Sequence, residues 1–297
     1  MHDDPPRDHE ALDALGHEIR LAIIERLAAE RRGSWRASGL EFAELRKAVG
    51  VDDPGQFNYH LDKLLDTFVE KRDAEYVVTT AGLEVAGTVE AGTYDPDDVS
   101  FTATVEATCT ECGDHLEASY ERGTLQVQCP EHGLFHGNAI PPAAVRDRDP
   151  ETVVALTQLN ARNELSRALE GACVHCWGTI DVETPVDPPA ELLDDQQANA
   201  DEVEQVVVEF ACRDCGMTFW TAASITIVHH PAVVSFYHDH GVNVHDCGYL
   251  ELAFVDGTNG IIESRDPVRV RIDVELESDV LRVWVDDSAE VVDTERT

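Results

Sequence analysis

Positive charge is scarce in this 297-residue chain, which has only 22 Lys or Arg residues against 59 Asp or Glu and a formal net charge of −37. The lysines are three: Lys47, Lys63 and Lys71. Because the carboxylates are spread along the whole chain and form no single tail, we interpret them as adaptation to concentrated salt, where a Debye length of about 3 Å screens self-repulsion. Negative charge is then weak grounds for excluding a nucleic-acid partner.

Long apolar runs are also missing. No run approaches the ~18–20 residues that span a bilayer, and residues 1–10 are polar and acidic, unlike a signal peptide. Hydrophobic residues still make up 43% of the chain, enough for folded cores, and the length predicts about two domains. We therefore expect a cytoplasmic protein with no membrane partner.

Cysteine is missing from residues 1–92, and all eight cysteines follow the Asp-rich segment 93–100, which we predict to be a linker. Residues 1–92 carry a net charge of −8 (11 basic, 19 acidic), and the other 205 carry −29 (11 basic, 40 acidic). Any function that needs positive charge is thus expected in the first third. The sequence has no nucleophile elbow and no phosphate-binding loop, so we do not expect an enzyme.

Apolar spacing and turn residues in the first third predict a short series of helices and strands. The predicted elements are helices at 9–30, 41–49, 54–67 and 80–90 and strands at 69–72 and 76–79. Gly50 is expected to cap the second helix, and Pro54 suits the first position of the third. The order of helix, helix, turn, helix and hairpin is the layout of a winged helix-turn-helix domain, which we place at 8–92.

Three sequence strings carry a family resemblance: LGHEIRLAII at 15–24, FNYHLDKL at 57–64 and YVVTTAG at 76–82. On these strings, residues 8–90 resemble the ArsR-like transcriptional regulators of the halophilic archaeal type. The resemblance implies a homodimer that binds double-stranded promoter DNA. The metal-sensing cysteines of that family are absent here, so this domain itself is not expected to sense a metal.

In a winged helix-turn-helix domain the third helix lies in the major groove. Six residues on that helix and the wing are candidate DNA contacts: Gln56, Asn58, Tyr59, Lys63, Lys71 and Arg72. The amides of Gln56 and Asn58 suit bidentate pairing with adenine, and the basic side chains suit the DNA backbone. Each candidate has an alternative interpretation as a solvated surface residue. His60, in the same helix, is expected to pack inward.

Two pairs of short knuckles predict two metal sites. The first site would use Cys109, Cys112, Cys129 and His132, and the second Cys173, Cys176, Cys212 and Cys215. Four ligands from two tight turns can close a tetrahedron around Zn²⁺ and leave no position for water, so we expect two structural zinc ions. Disulfides are the alternative, which a reducing cytoplasm disfavours. The second pair is widely spaced, and its polar segment 187–204 is expected to loop out.

One further cluster lies outside this scheme: His229, His230, His238, His240, His245 and Cys247. A helix at 231–240 would place histidines near its C-terminus, where they interact favourably with the helix dipole. One alternative is a sensory metal site that uses Cys247 with two or three of the histidines. Another is an organic-ligand pocket lined by Phe236, Tyr237 and Trp220.

The sequence thus predicts an α+β fold, in which an N-terminal winged helix-turn-helix domain precedes an antiparallel, β-rich region that contains zinc ribbons. The predicted parts are the domain at 8–92, the linker at 93–100, a first zinc ribbon at 101–149, a helix (150–170) with a second ribbon and a β-rich candidate sensor domain at 150–286, and an acidic tail at 287–297. A meander is expected from strands at 249–255, 268–276 and 279–285. The apolar stripe of the 150–170 helix is expected in the core, with a dimer contact as the alternative.

The leading functional hypothesis is a sequence-specific transcriptional regulator whose effector is unknown. The alternative is a protein-interaction adaptor of the transcription machinery, in which the winged helix and the ribbons dock protein partners without reading bases.

Overall fold

The computed structural model describes residues 10–32, 39–95, 99–185, 206–255 and 260–297. The chain divides into two compact units, residues 1–96 and 97–297. The chain is mixed α+β and the strand pairs of its sheets are antiparallel, so the predicted fold class is confirmed at this level. Within the described ranges, no helix has both the length and the apolar character needed to cross a bilayer.

The N-terminal unit contains α1 (Glu10–Asp13), α2 (Glu18–Glu30), β1 (Leu40–Glu41), α3 (Phe42–Val49), α4 (Pro54–Asp62), β2 (Val69–Arg72), β3 (Glu75–Val78) and α5 (Thr80–Glu90). Its three strands form one sheet in the order β1-β3-β2. The predicted hairpin is confirmed, and so is the cap of α3, where Gly50 adopts a left-handed φ of 80°. The core lies between the helices and this sheet.

Two predicted helices of this unit are too long. The helix expected at 9–30 is interrupted, because the Nδ1 atom of His17 accepts a hydrogen bond from the Ile19 amide (3.2 Å) and caps a new helix, α2. The helix expected at 54–67 ends at Asp62. Asp66 then takes a left-handed φ of 68°, which turns the chain into β2, while Leu64 remains fully buried.

Close packing at Gly82 gives a testable prediction for the N-terminal unit. A Cβ atom at this position of α5 would lie 2.4 Å from the carbonyl oxygen of Phe68. Because that atom belongs to the backbone, we expect Gly82→Ala to destabilise the unit by about 1–3 kcal/mol. At Gly87 of the same helix an added Cβ meets nothing within 4 Å, so Gly87→Ala is expected to stabilise by up to ~1 kcal/mol. Thermal unfolding compares the two variants, and equal midpoints would contradict the packing.

The C-terminal unit begins with a four-stranded sheet and a long helix: β4 (Phe101–Thr108), β5 (His115–Glu121), β6 (Thr124–Cys129), β7 (Gly133–Ala139) and α6 (Pro150–Leu169). It continues with β8 (Ile180–Glu183), β9 (Val207–Cys212), β10 (Thr218–Ala222), α7 (Ala223–Thr226), α8 (Pro231–Asp239), β11 (Gly260–Arg265), β12 (Val268–Leu276), β13 (Asp279–Val285) and β14 (Val291–Arg296). The three sheets run in the orders β4-β5-β6-β7, β10-β9-β8 and β11-β12-β13-β14.

Helix α6 packs in two hydrophobic cores of this unit. Its first half contributes Val153 and Val154 to the core of the β4–β7 sheet, and its second half contributes Leu165 to the larger core around β8–β14. The expected core stripe is thus confirmed only in part, because Leu156 and Leu159 are 38% and 43% exposed.

Two predictions for the C-terminal unit are wrong. The strand expected at 249–255 is instead a pair of 3₁₀ turns, Tyr249–Glu251 and Ala253–Val255, which bury apolar side chains without strand pairing. The acidic tail expected at 287–297 contains β14, which pairs with β13. Its carboxylates have cationic partners on the sheet: Asp293 lies 3.1 Å from Arg269 and Glu295 lies 3.4 Å from Arg282. The segment 187–204 and residues 96–98 of the predicted linker lie outside the described residues.

Candidate metal centres and a histidine-lined cavity

The four ligands predicted for the first site converge at one end of the β4–β7 sheet. The Nδ1 atom of His132 lies 3.5 Å from the Sγ atoms of both Cys109 and Cys129, and the Sγ atoms of Cys112 and Cys129 are 3.8 Å apart. All four ligand atoms lie within 4.8 Å of one another. This group could therefore hold one metal ion.

The second site is assembled in the same way despite its wide sequence spacing. The Sγ atoms of Cys173 and Cys215 are 3.8 Å apart, and those of Cys176 and Cys212 are 3.6 Å apart. These four ligand atoms also lie within 4.8 Å of one another. Two strands bring the knuckles together, since Cys212 ends β9 and pairs with Ile180 at the start of β8. The chain could thus bind two metal ions, one at each group.

Three knuckles share one backbone design. In each, the amide of the first cysteine donates to the carbonyl five residues later: Cys109 to Asp114, Cys173 to Gly178, and Cys212 to Met217, all at 2.8 Å. The residue four positions after that cysteine has a left-handed φ: 77° at Gly113, 64° at Trp177 and 75° at Gly216. Trp177 is not among the predicted site residues. Its left-handed conformation could have been inferred from its position in the knuckle, where the other two knuckles have glycine.

Backbone amides point at the sulfur atoms of the second site. The amides of His175 and Asp214 donate to the Sγ atoms of Cys173 (3.3 Å) and Cys212 (3.4 Å). Burial raises the pKa of the Cys173 thiol, but hydrogen bonds from two backbone amides and two neighbouring sulfur atoms together outweigh it and lower that pKa to about 6. Because the thiolate is the form that binds a metal, this lowered pKa favours the ligand state of Cys173, whereas burial and neighbouring sulfur atoms raise the pKa of Cys176 and of Cys215.

Each group has two buried and two exposed ligands, and its cysteines are free thiols. The buried pairs, Cys109 with Cys129 and Cys173 with Cys212, belong to the hydrophobic cores of the unit. An ion at either group would have four protein ligands and would tie two distant turns to one core. Such an arrangement stabilises a fold and leaves no open position for a reacting water.

The histidine-rich cluster separates into two sets. His230 accepts a hydrogen bond from the Ala232 amide at Nδ1 (3.3 Å) and so caps α8, and His240 places Nδ1 2.8 Å from the carbonyl of Phe236. Cys247 donates to a backbone carbonyl (3.6 Å). These three side chains are engaged in local structure, and of the three only His240 lies at the C-terminus of α8, where the helix-dipole interpretation expects a histidine.

The other three histidines line one open cavity of about 540 Å³, together with Pro231, Val234, Ser235, Val242 and Asn243. The rings of His229 and His245 are parallel within 3°, with centroids 5.3 Å apart. The Nε2 atom of His229 lies 3.4 Å from the Tyr249 hydroxyl, and its Nδ1 atom is buried with no hydrogen-bond partner. Burial lowers the pKa of His229 to about 4, so this ring is neutral at pH 7.

The ligand atoms of this cluster do not converge as those of the cysteine groups do. Within the described ranges, only the two cysteine groups bring three or more such atoms within 4.8 Å. The predicted organic-ligand pocket is wrong in its composition: Phe236 and Tyr237 are buried in the core, Trp220 lies in β10, and none of the three lines the cavity.

The six candidate DNA contacts are exposed, four of them on α4 or its C-terminal cap and two on β2. Some are engaged with neighbours: Asn58 donates to the Asp62 carboxylate (2.8 Å), and Arg72 lies 2.9 Å from Glu70. The Lys71 ammonium sits 5.3 Å from the centroid of the Tyr76 ring. His60 is buried against the ring of His17, as expected.

Two half-buried histidines predict acid sensitivity of the C-terminal unit. Burial lowers the pKa of His136 to about 4, as it does for His229, and the Nε2 atom of His136 is buried without a partner. Because both folded-state values lie below the usual 6.5, the unfolded chain binds more protons between pH 6.5 and 4, and stability falls as pH falls through this window. We expect His136→Gln to reduce that loss by on the order of 1 kcal/mol in urea unfolding at pH 6.5 and 4.5. Metal-ligand protonation is common to both proteins, so identical pH dependence would contradict the assignment.

Comparison with known proteins finds two family models along the chain. Residues 106–291 match a model described as a domain of unknown function (DUF7351), and residues 8–89 match one described as a domain of unknown function (DUF7347). No curated protein and no solved structure matches the chain.

Proposed function

Since the chain belongs to the DUF7351 family, whose description names no activity, we propose its function from its own residues: a sequence-specific DNA-binding transcriptional regulator of the ArsR-like type, with two structural zinc ions. It would bind promoter DNA as a homodimer through the N-terminal unit, a winged helix-turn-helix domain. The C-terminal unit would supply stability and the response to an effector.

The observation that carries the proposal is the two-sided character of α4. Phe57 and Leu61 are fully buried against the other helices, while Tyr59 on the opposite face is 59% exposed. The exposed face also carries two amides and a lysine, which are base-reading and phosphate-binding groups. α4 follows α3 after a tight turn that begins at Gly50, and the β2–β3 hairpin follows it, which is the order of a helix-turn-helix with a wing.

Zinc is supported by the spacing of the ligand atoms. Bonds of about 2.3 Å to sulfur and 2.0–2.1 Å to nitrogen give a regular tetrahedron with edges of about 3.8 Å between sulfurs and about 3.6 Å between sulfur and nitrogen. Three of the sulfur–sulfur distances are 3.6–3.8 Å, two of the sulfur–nitrogen distances are 3.5 Å, and all ligand atoms of a group lie within 4.8 Å of one another. With four protein ligands each ion would be structural, and we propose no enzymatic role.

The adaptor remains the second candidate, and the charges around α4 favour it. Residues 51–72 contain five carboxylates and three basic side chains, a net charge of −2. Asn58 and Arg72 are each paired with a carboxylate, which a DNA phosphate would have to displace. For the regulator, concentrated salt weakens the repulsion, and affinity has to come from base contacts and shape and much less from counterion release.

Chromatin immunoprecipitation of the tagged full chain, in cells grown at their own salt concentration, tests the proposal. Discrete promoter peaks are expected, and the purified chain should retard those fragments in molar KCl without added protein. Peaks that purified chain cannot reproduce would favour the adaptor. Absence of peaks under every growth condition would overturn the regulator.

A further inference from the structure

We propose that the cavity lined by His229, His238 and His245 is a third metal site, which binds a divalent transition ion such as Ni²⁺ through imidazole nitrogens. This site is separate from the two cysteine groups. It goes beyond the proposed function, because it would give the C-terminal unit an exchangeable ion next to two permanent ones.

The ligand atoms at this cavity would be imidazole nitrogens that have no hydrogen-bond partner. The Nδ1 atom of His229 is buried with no partner, a condition that a native fold rarely leaves unsatisfied. The rings of His238 and His245 are exposed and, within the described part of the chain, have no hydrogen-bond partner at their nitrogen atoms. The neighbouring His230 and His240, which use their Nδ1 atoms for local structure, do not line this cavity and are excluded. Three of the five histidines in this cluster therefore line one cavity and have a nitrogen atom without a hydrogen-bond partner.

The groups that line the cavity suit a transition-metal ion. Histidine binds metals as the neutral ring, through either of its two nitrogen atoms. Neutral imidazoles suit borderline ions such as Ni²⁺, Cu²⁺, Co²⁺ and Zn²⁺ better than Mg²⁺ or Ca²⁺, which prefer carboxylates. The remaining polar groups, the Ser235 hydroxyl and the Asn243 amide, can hydrogen-bond waters that complete the coordination.

The site would form only when the ion binds. Its nitrogens do not lie as close together as the ligands of the cysteine groups, and the cavity is larger than an ion. The His245 ring already stacks on that of His229, and His238 is exposed in the last turn of α8, so the site would need the His238 side chain to rotate toward this pair. The ion itself would then connect α8 to the loop that contains His245, which is the property required of an inducible site.

Equilibrium dialysis of the full chain against Ni²⁺ in molar KCl, with zinc measured in the same samples, tests the proposal. The unaltered protein is expected to bind one Ni²⁺ per chain without losing zinc. His238→Gln and His245→Gln should each weaken Ni²⁺ binding about tenfold or more, and the double variant should lose it. Imidazole ¹⁵N resonances of His229, His238 and His245 should shift or broaden on Ni²⁺ addition, before those of His240.

His230→Asn is the matched control, because it removes an adjacent imidazole but retains a side chain that caps α8 well. It is expected to bind Ni²⁺ like the unaltered chain. Three outcomes would overturn the proposal: no bound Ni²⁺ in the zinc-loaded chain, release of zinc in proportion to the Ni²⁺ taken up, or undiminished binding by the double variant. None of these depends on whether the N-terminal unit binds DNA.

Discussion

Chains that carry Cys212→Ser are expected to hold one metal ion fewer than the unaltered protein and to unfold at a temperature about 10 °C or more lower. Cys212 is 6% exposed, ends β9 and belongs to the larger core of the C-terminal unit. Its loss would leave three thiols crowded without their ion and would release the turn that carries Cys173 and Cys176. Metal analysis of purified protein and calorimetric unfolding measure the two effects.

Cys247→Ser provides the matched control for this prediction. Cys247 is a half-buried cysteine that lies outside both metal-ligand groups, and a serine hydroxyl can replace its hydrogen bond to the Asn243 carbonyl. We expect this variant to retain its metal content and to unfold within a few degrees of the unaltered chain. Equal metal content in both variants would contradict the assignment of Cys212 as a ligand. The unfolding transition of the N-terminal unit should be unchanged in either variant.

The two groups of candidate metal ligands are predictable from the sequence because a knuckle encodes its geometry locally. Two ligands three positions apart, followed by a residue that tolerates a left-handed φ, fix a tight turn whatever the rest of the chain does. The 35 residues between Cys176 and Cys212 therefore did not obscure the second site. Only the pairing of β8 with β9, a long-range contact, decides that its two knuckles meet.

The wrong predictions of the fold have a common cause: long-range contacts, and not the local sequence pattern, determine the structure of these segments. Residues 249–255 alternate like a strand, but burial of Tyr249 and Phe254 is achieved by short turns. The carboxylates of β14 indicate a solvated acidic tail in the sequence. Their partners in the fold, Arg269 and Arg282, are 24 and 13 residues away along the chain. Ion pairs between strands follow from register, which the local sequence does not specify.

The histidine cluster shows the same limit at a candidate site. Six metal-binding side chains within 19 residues gave no basis for choosing among them. The fold assigns His230 to a helix cap and His240 to a helix C-terminus, and it places His229 and His245 ring to ring. The distinction between these two sets of histidines depends on the direction in which each side chain projects from α8 and its flanking loops.

The double substitution Asn58→Ala/Tyr59→Ala is expected to abolish promoter binding by the regulator and to leave the N-terminal unit folded. Both side chains are exposed, and neither belongs to the hydrophobic core, so stability should change by less than about 1 kcal/mol. A good bidentate base contact contributes about 1–3 kcal/mol of discrimination. Loss of Asn58 together with the aromatic contact of Tyr59 should thus weaken binding on the order of 100-fold or more at the target promoter.

Lys63→Ala separates base reading from attraction to phosphate. Lys63 caps α4 at its C-terminus, and its ammonium lies 6.0 Å from the centroid of the Tyr59 ring. A phosphate contact carries no sequence information, so this variant should weaken binding to target and unrelated fragments alike, whereas the double variant should weaken only target binding. Electrophoretic retardation of both fragments in molar KCl distinguishes the two patterns.

Two other results would change the function proposed for α4. If chromatin peaks survive the double substitution, another protein recruits the chain and the exposed face of α4 is not a base-reading surface. If both variants weaken all fragments equally, α4 contacts only the DNA backbone, and a domain with a net charge of −2 around its recognition helix would have to derive specificity from DNA shape. Selective loss at the target alone would mean that hydrogen bonds to bases compensate for an electrostatic surface that disfavours DNA.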